Sequence, residues 1–309
     1  MNTSCQVSRH CAQEKREAVF LNHEWSARLR AYAKLARFDR PVGTFLLLWP
    51  TLWSLWLASG GWPRLRWVVV FSLGTVLMRA LGCIINDYAD RHLDGFVTRT
   101  CNRPLVTGDV SATEALVLAC VLGLCAFLLV LATPVLTVML SLPALALTLV
   151  YPFMKRWTHL PQLVLGCAFS WGIPMAWTAC GRPLEPASWV VFLACLLWVV
   201  AYDTQYAMVD RADDIKAGIR STAILFGRWD TRVVAFLQLG CCVLLVQAGR
   251  LLESGGGWYL GVGVMAALFV RQAWLTRRRE PSACFRAFCE NQWAGGAVFA
   301  GAVLDLCFF

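Results

Sequence analysis

Long hydrophobic segments alternate with short polar segments along almost the whole chain. The hydrophobic windows have about 18–21 residues, the length that a helix needs to cross a hydrocarbon core of roughly 30 Å. They cover the ranges 42–59, 67–85, 112–132, 134–152, 161–180, 188–206, 233–252, 256–275 and 291–309. The pattern predicts an all-α integral membrane protein with nine transmembrane helices.

The amino-acid composition is also typical of a protein that lies in a lipid bilayer. Of its 309 residues, 58% are hydrophobic and only 15% are charged, whereas soluble domains carry about 25% charged residues. The 14 cysteines include no CxxC pair and no zinc-like Cys/His spacing, which favours buried hydrophobic roles. The net charge of +9 is explained by basic cytoplasmic loops and anionic lipid. No basic face of a soluble module indicates nucleic-acid binding.

The positions of Lys and Arg predict the orientation. If the N-terminus is cytoplasmic, 22 of the 28 basic residues lie in the N-terminal segment and the even-numbered loops. This asymmetry is the positive-inside signal. The polar residues 1–36 are predicted to form a partly disordered extension, and 37–309 a single transmembrane domain. No cleavable signal peptide is expected, because the N-terminal segment is polar and mixed in charge.

Seven of the eleven aspartates fall in two clusters at predicted cytoplasmic helix ends. In the first cluster, Asn86, Asp90 and Asp94 are four residues apart and would share one face of a helix. In the second, Asp210 and Asp214 repeat this spacing, and Asp203 lies seven residues before Asp210.

Stacked carboxylates at a helix C-terminus repel one another and oppose the helix dipole, so a cation is expected to neutralise them. Oxygen ligands on two facing helices are typical of Mg²⁺, which commonly bridges carboxylates to substrate phosphates. Solvated loop carboxylates are the alternative, which two matched clusters on one side disfavour. We therefore predict Mg²⁺ as cofactor, held by Asn86, Asp90, Asp94, Asp210 and Asp214.

Basic residues follow both acidic clusters. Carboxylates and cations around one pocket suit a polyanionic substrate such as a diphosphate, which would bind Mg²⁺ and also accept hydrogen bonds from Lys and Arg. Anchoring on the positive side of the membrane is the alternative for Lys155 and Arg156. The candidates are Arg91, Arg99 and Arg103 after the first cluster, Arg211, Lys216 and Arg220 after the second, and Lys155 and Arg156 between them.

Arg79 lies two helical turns before Asn86, about 10 Å deeper at 1.5 Å per residue. An arginine at that depth should face the bundle interior and have an anionic partner. That partner is either an aspartate of the site or the carboxylate of an acidic acceptor, and the sequence leaves both open.

The segment NDYADRHLDG (86–95) fits the NDxxDxxxD pattern of the UbiA superfamily of intramembrane aromatic prenyltransferases. The chain also resembles the members that act on 4-hydroxybenzoate, in the same order along the chain. The similar blocks are RPVGTFLLLWPTLWSLW (40–56), MRALGCIINDYADRHLDG (78–95), YPFMKRWTHLPQ (151–162) and YDTQYAMVDRADDIKAGIRSTAILFG (202–227).

This resemblance implies a nine-helix bundle around a central cavity, closed by cytoplasmic cap loops. A polyprenyl diphosphate and 4-hydroxybenzoate would meet there, in the inner membrane of a bacterium that makes ubiquinone. The implied catalytic residues are Asp90, Asp94, Asp210, Asp214 and Arg156. The implied diphosphate ligands are Asp87, Arg91, Tyr151, Lys155, Arg156 and Lys216, and the acceptor ligands are Arg37 and Arg79. Ala212 departs from the more acidic run of many relatives, but lies outside the DxxxD positions.

Three other functions remain open at this point. The same scaffold can act on homogentisate, a naphthoate or haem. A cation-coupled transporter also carries intramembrane carboxylates, although two clusters on the same side disfavour alternating access. A structural membrane subunit would not need two aspartate arrays.

Overall fold

The structure is a computed structural model that describes residues 26–92, 94–96 and 99–308. The described part of α1 covers 26–35, and twelve further α-helices follow. They are α2 (Val42–Ser59), α3 (Leu65–Asp90), α4 (Pro104–Thr107), α5 (Ala112–Val130), α6 (Val135–Trp157), α7 (Pro161–Ser170), α8 (Gly172–Ala179), α9 (Pro186–Ala217), α10 (Thr222–Phe226), α11 (Asp230–Leu251), α12 (Gly256–Thr276) and α13 (Pro281–Phe308), with 3₁₀ turns at Asp94–Phe96 and Gly227–Trp229.

The described residues are helical, with no strand among them, as the hydrophobic pattern predicts. Seven segments are long and apolar enough to cross a membrane: α2, α3, α5, α6, α9, α10 with α11, and α12. The predicted count of nine is not confirmed. The segment 161–180 is split into two short helices, and α13 begins ten residues before the predicted start at 291, with Arg286, Glu290, Asn291 and Gln292 in its first half.

The split between α7 and α8 has a local cause. Pro174 has no backbone N–H to donate to the carbonyl of Ser170, and its ring crowds that carbonyl. Gly172 also lies against α2, where a Cβ would be 2.8 Å from Thr51 Oγ1. The chain therefore bends where it approaches α2 closely.

The core lies where α2, α9, α11, α12 and α13 pack together, around the buried indoles of Trp53, Trp177, Trp198 and Trp258. Helices α5 and α6 instead have few buried side chains and leave many apolar ones exposed, as Val135 and Met139 show. Because lipid can solvate exposed apolar side chains, we interpret this face as the one that contacts lipid.

Four neutral side chains form an amide cluster inside the bundle: Gln205, Gln238, Gln272 and Asn291. Gln272 Oε1 accepts hydrogen bonds from Gln238 Nε2 at 2.7 Å and from Gln205 Nε2 at 3.2 Å, and Asn291 Nδ2 donates to Gln205 Oε1 at 3.0 Å. The indole of Trp198 donates to Asn291 Oδ1 at 2.8 Å. The amide cluster therefore joins α9, α11, α12 and α13.

Most of the predicted N-terminal extension, residues 1–25, lies outside the described residues. In α1, Leu35 is fully buried and packs with Leu81 and Ile84 of α3. Helix α1 thus docks beside the end of α3 that carries the first aspartate cluster.

Candidate active site

The first aspartate cluster spans the end of α3. Asn86, Asp87 and Asp90 lie in the last turns of the helix, and Asp94 lies beyond it in the 3₁₀ turn. The predicted shared helical face therefore holds for Asn86 and Asp90 but is wrong for Asp94. A continued helix would have stacked another carboxylate at the negative end of the helix dipole.

Arginine and lysine side chains neutralise these carboxylates. Arg37 Nη2 lies 2.8 Å from both oxygens of Asp87. Arg103 Nη1 lies 2.9 Å from Asp87 and 2.6 Å from Asp94, so it bridges the two. Lys155 pairs with Asp90. All three aspartates are buried, and an unpaired charge there would be costly.

The second cluster lies on α9, which continues to Ala217, well past the predicted end at 206. With 32 residues the helix is about 48 Å long, so its last turns extend beyond a hydrocarbon core of about 30 Å. Arg99 Nε donates to Asp210 at 3.0 Å, and its guanidinium lies 4.6 Å from the centre of the Tyr206 ring. Asp214 is half-buried and forms no ion pair with a described residue.

Five ion pairs from four parts of the chain form a charged cluster, in which Arg37, Asp87, Arg103 and Asp94 are linked and Lys155–Asp90 and Arg99–Asp210 are separate pairs. Its members are Arg37, Asp87, Asp90, Asp94, Arg99, Arg103, Lys155 and Asp210. Burial lowers the pKa of Arg103, but Asp87 and Asp94 outweigh it and hold that pKa above its usual range. Arg37 adopts a φ of 60°, an uncommon conformation for a non-glycine residue that often marks a functional site.

A cavity of about 990 Å³ opens beside the charged cluster. Asn86, Asp87, Arg99 and Arg103 line one part of it, and Tyr151, Tyr202, Asp203 and Tyr206 line the adjoining wall. Other parts of the wall are apolar and come mainly from α2, α3, α5, α6 and α7. One chamber therefore offers both charged and apolar surfaces, as a ligand with a charged head and an apolar tail would need.

Arg79 lines this cavity without an ion-pair partner among the described residues. Its Nε is shielded from solvent and has no hydrogen-bond partner. Of the two interpretations that the sequence left open, pairing with an aspartate is therefore not observed. A cation at this depth that forms no salt bridge with a described residue is a candidate ligand for an anion.

The remaining predicted site residues differ in their positions relative to the cavity. Tyr151 lines the cavity. Arg156 is exposed and donates to the carbonyl of Ala89. Arg91 stacks on the ring of Tyr88 and donates to its carbonyl, and Lys216 is exposed.

The sequence named Arg99 and Arg103 among the basic candidates around the pocket but did not include them among the implied diphosphate ligands. Their position directly after the first aspartate cluster was the available signal. It also missed that Asp203 lines the cavity. Another buried carboxylate, Asp230, pairs with Arg211 and Arg279 outside the cavity lining.

The donor set suits a hard divalent cation. Asp90 Oδ1 is buried and has no hydrogen-bond partner, so one oxygen ligand is unused. Within the described residues, no three Asp, Glu, His or Cys side chains converge on one point, and the pairs with Arg and Lys satisfy most of the other oxygens. Asn86, Asp90, Asp94, Asp210 and Asp214 remain the side chains with the appropriate chemistry.

Comparison with known proteins adds a family and a fold. The family model described as the UbiA prenyltransferase family matches residues 47–299. A 4-hydroxybenzoate octaprenyltransferase of Vibrio cholerae is 57% identical over 281 residues, which cover 91% of this chain and 99% of the relative. A protein of the same name from Salmonella paratyphi C is 55% identical, over 93% of this chain and 100% of the relative.

Solved structures show the same fold at low sequence identity. The apo structure of a UbiA homologue from Aeropyrum pernix K1 has a TM-score of 0.76 and 22% identity, covering 86% of this chain and 98% of that protein. A UbiA homologue from Archaeoglobus fulgidus bound to GPP and Mg²⁺ has a TM-score of 0.66 and 17% identity, covering 90% and 99%.

Proposed function

The chain belongs to the UbiA prenyltransferase family, and we propose that it transfers a polyprenyl group from polyprenyl diphosphate to the ring of 4-hydroxybenzoate, meta to the carboxylate, as a step of ubiquinone biosynthesis. The observation that carries this proposal is one cavity lined by members of the charged cluster, by apolar side chains and by Arg79, which forms no salt bridge with a described residue. The relatives named 4-hydroxybenzoate octaprenyltransferase favour an octaprenyl donor.

The donor would bind with its diphosphate at the charged cluster and its tail along the apolar wall. Lys155, Arg99 and Arg103 carry N–H groups that can donate to phosphate oxygens in place of their present carboxylate partners. This cationic surface stabilises the charge that develops on the diphosphate as its bond to the allylic carbon breaks. Arg156 and Tyr151 lie at the same end of α6 as Lys155.

The Archaeoglobus fulgidus homologue is bound to Mg²⁺, and Mg²⁺ is the cofactor that we propose here. Asn86, Asp90, Asp94, Asp210 and Asp214 would hold it. When bound, it neutralises phosphate charge and acts as a Lewis acid.

The acceptor would lie in the same cavity with its carboxylate on Arg79 and with Arg37 nearby at the cavity wall. The ring carbon ortho to the phenol oxygen then faces the allylic cation, and loss of the ring proton restores aromaticity. The hydrophobic walls exclude water, which would otherwise capture the cation.

The proposal also includes the topology of the chain in the membrane. Multiple apolar helices make the chain a multi-pass membrane protein. We assign nine crossings, with α7 and α8 acting as one and α13 as the last, and residues 37–309 as one domain. The N-terminus, the charged cluster and its cap loops would face the cytoplasm, and the membrane would be the bacterial inner membrane.

Purified protein in lipid nanodiscs tests the function directly. With Mg²⁺, octaprenyl diphosphate and labelled 4-hydroxybenzoate, we expect release of diphosphate and one labelled prenylated product. Asp210→Ala should abolish turnover, whereas Asp109→Asn, at an exposed carboxylate outside the cavity lining, should preserve it. Transfer to homogentisate, a naphthoate or haem in preference to 4-hydroxybenzoate would reject the acceptor, and no diphosphate release would reject the enzyme.

A further inference from the structure

Gly43 lies in the first turn of α2 directly against the guanidinium of Arg79. A Cβ at residue 43 would be 2.3 Å from Nη2, 2.6 Å from Nε and 2.7 Å from Cζ of Arg79. Non-bonded heavy atoms separate by about 3.5–4.0 Å, so no side chain fits here while Arg79 keeps its position. Both residues line the cavity.

The backbone does not require glycine at this position. Gly43 is not among the residues with positive φ, and it lies inside a helix, where alanine is the more stable residue. Glycine offsets this disadvantage because it leaves free the space that a side chain would fill. The space is occupied by the guanidinium that has no ionic partner among the described residues.

We propose that Gly43 is a positioning residue that fixes the Arg79 guanidinium against α2 and thereby makes the site selective for acceptors with a carboxylate. This inference rests on the proposed function, because it deepens the role of Arg79. A planar guanidinium grips a carboxylate through two parallel hydrogen bonds, which requires a defined orientation. A larger residue at 43 would push the guanidinium aside and lose that geometry.

The test compares Gly43→Ala with wild-type protein in nanodiscs, using 4-hydroxybenzoate and neutral 4-hydroxybenzamide. We expect the Kd of 4-hydroxybenzoate, measured by ligand-induced thermal stabilisation, to rise about tenfold or more, as for loss of a charged hydrogen bond. The Kd of 4-hydroxybenzamide and the KM of the donor should change less than about twofold, within ordinary measurement scatter. Equal loss for the acid and the amide would overturn the proposal.

A double-mutant cycle separates positioning from general damage. In an Arg79→Ala background the steric conflict is absent, so adding Gly43→Ala should neither weaken acceptor binding further nor lower the thermal unfolding midpoint. If Gly43→Ala alone fails to fold, the double variant should fold. Additive losses, or a double variant that also fails to fold, would contradict the proposal.

Gly263→Ala is the matched control, because it places a methyl group on a helix where a Cβ meets open space. It should behave as wild type in every assay. A wild-type protein that transfers nothing to 4-hydroxybenzoate would reject the proposed function. The stability cycle of Gly43 and Arg79 would then still test their packing, so the two failures are distinguishable.

Discussion

The charged cluster and the amide cluster are both polar, but they differ in chemistry and surroundings. Only Asp87, Asp90 and Asp94 of the charged cluster are buried, whereas all four amides are. The charged cluster contains four carboxylates and four cations, and several of its members line the cavity. The amide cluster has no formal charge, and none of its four side chains lines the cavity. Its hydrogen bonds run between helices α9, α11, α12 and α13.

The contrast between the two clusters indicates where a membrane protein tolerates charge. Burying ions costs several kcal/mol each even when they are paired, whereas amides that bond to one another cost little and hold helices together. Charge is therefore retained where a charged ligand can use it, and neutral groups serve where only helix association is needed. Four substitutions test this difference between the two clusters, and the one with the largest expected effect comes first.

Asp230 tests whether charge away from the cavity acts only on stability. It is fully buried, with Arg211 and Arg279 as partners that are themselves about a quarter and a third exposed. Asp230→Ala should lower the free energy of unfolding by about 3 kcal/mol, the low end for a broken buried pair, because the arginines keep some solvent. Folded protein should keep its acceptor Kd. A large change in that Kd with an unchanged unfolding midpoint would contradict the comparison.

Asp90 tests the charged cluster itself. Asp90→Ala removes an oxygen-bearing side chain from the charged cluster and leaves Lys155 without its partner. We expect kcat to fall about 100-fold or more, as when a preorganised electrostatic group is lost. Turnover is measured by diphosphate release at saturating Mg²⁺. A kcat within twofold of wild type would remove Asp90 from the site.

Gln272 tests the amide cluster. Gln272→Leu leaves the donors of Gln238 and Gln205 without their acceptor, and should cost about 1–3 kcal/mol of stability. The unfolding midpoint should fall while kcat of the folded protein stays unchanged. Gln247→Leu, at an exposed position of α11, is the control and should alter neither. A loss of kcat without a loss of stability would show that the amide cluster has a catalytic role.

Arg103 tests the geometry within the charged cluster. Its guanidinium reaches both Asp87 and Asp94, and the single ammonium of a lysine cannot reproduce that planar arrangement. Arg103→Lys should reduce kcat/KM for the donor about tenfold, as for one weakened charged hydrogen bond. The acceptor Kd should remain unchanged, and an effect confined to the acceptor would reject the assignment.

The agreement between sequence and structure is best where a local pattern decides the outcome. Helices α2 and α12 begin and end within one residue of the predicted ranges, because each is one apolar window between glycine or polar boundaries. The predicted helix ends agree less well with the structure where a helix extends beyond the membrane. Helix α9 continues eleven residues past its predicted end at 206, since a polar helix in water has no hydropathy signal.

For the site, the sequence predicted Asp87, Asp90 and Asp210 and named Arg99 and Arg103 as basic candidates, but not which carboxylate each of them binds. Arg99 and Arg103 lie between helices, and no periodicity specifies which carboxylate each would reach. The pairing of Asp94 with Arg103 depends on the end of α3 at Asp90 and on the turn that follows. Such contacts depend on where the chain reverses, which local spacing does not encode.

The sequence alone predicts a helical bundle in a membrane, basic loops on one side of that membrane and two acidic motifs on the same side. These properties follow from hydropathy, helical period and charge, which act over a few residues. The tertiary structure adds that Arg79 forms no salt bridge with a described residue, that Gly43 leaves space for its guanidinium and that one cavity has both charged and apolar walls. Those facts arise from contacts between residues far apart in the chain, where packing and burial set the energy.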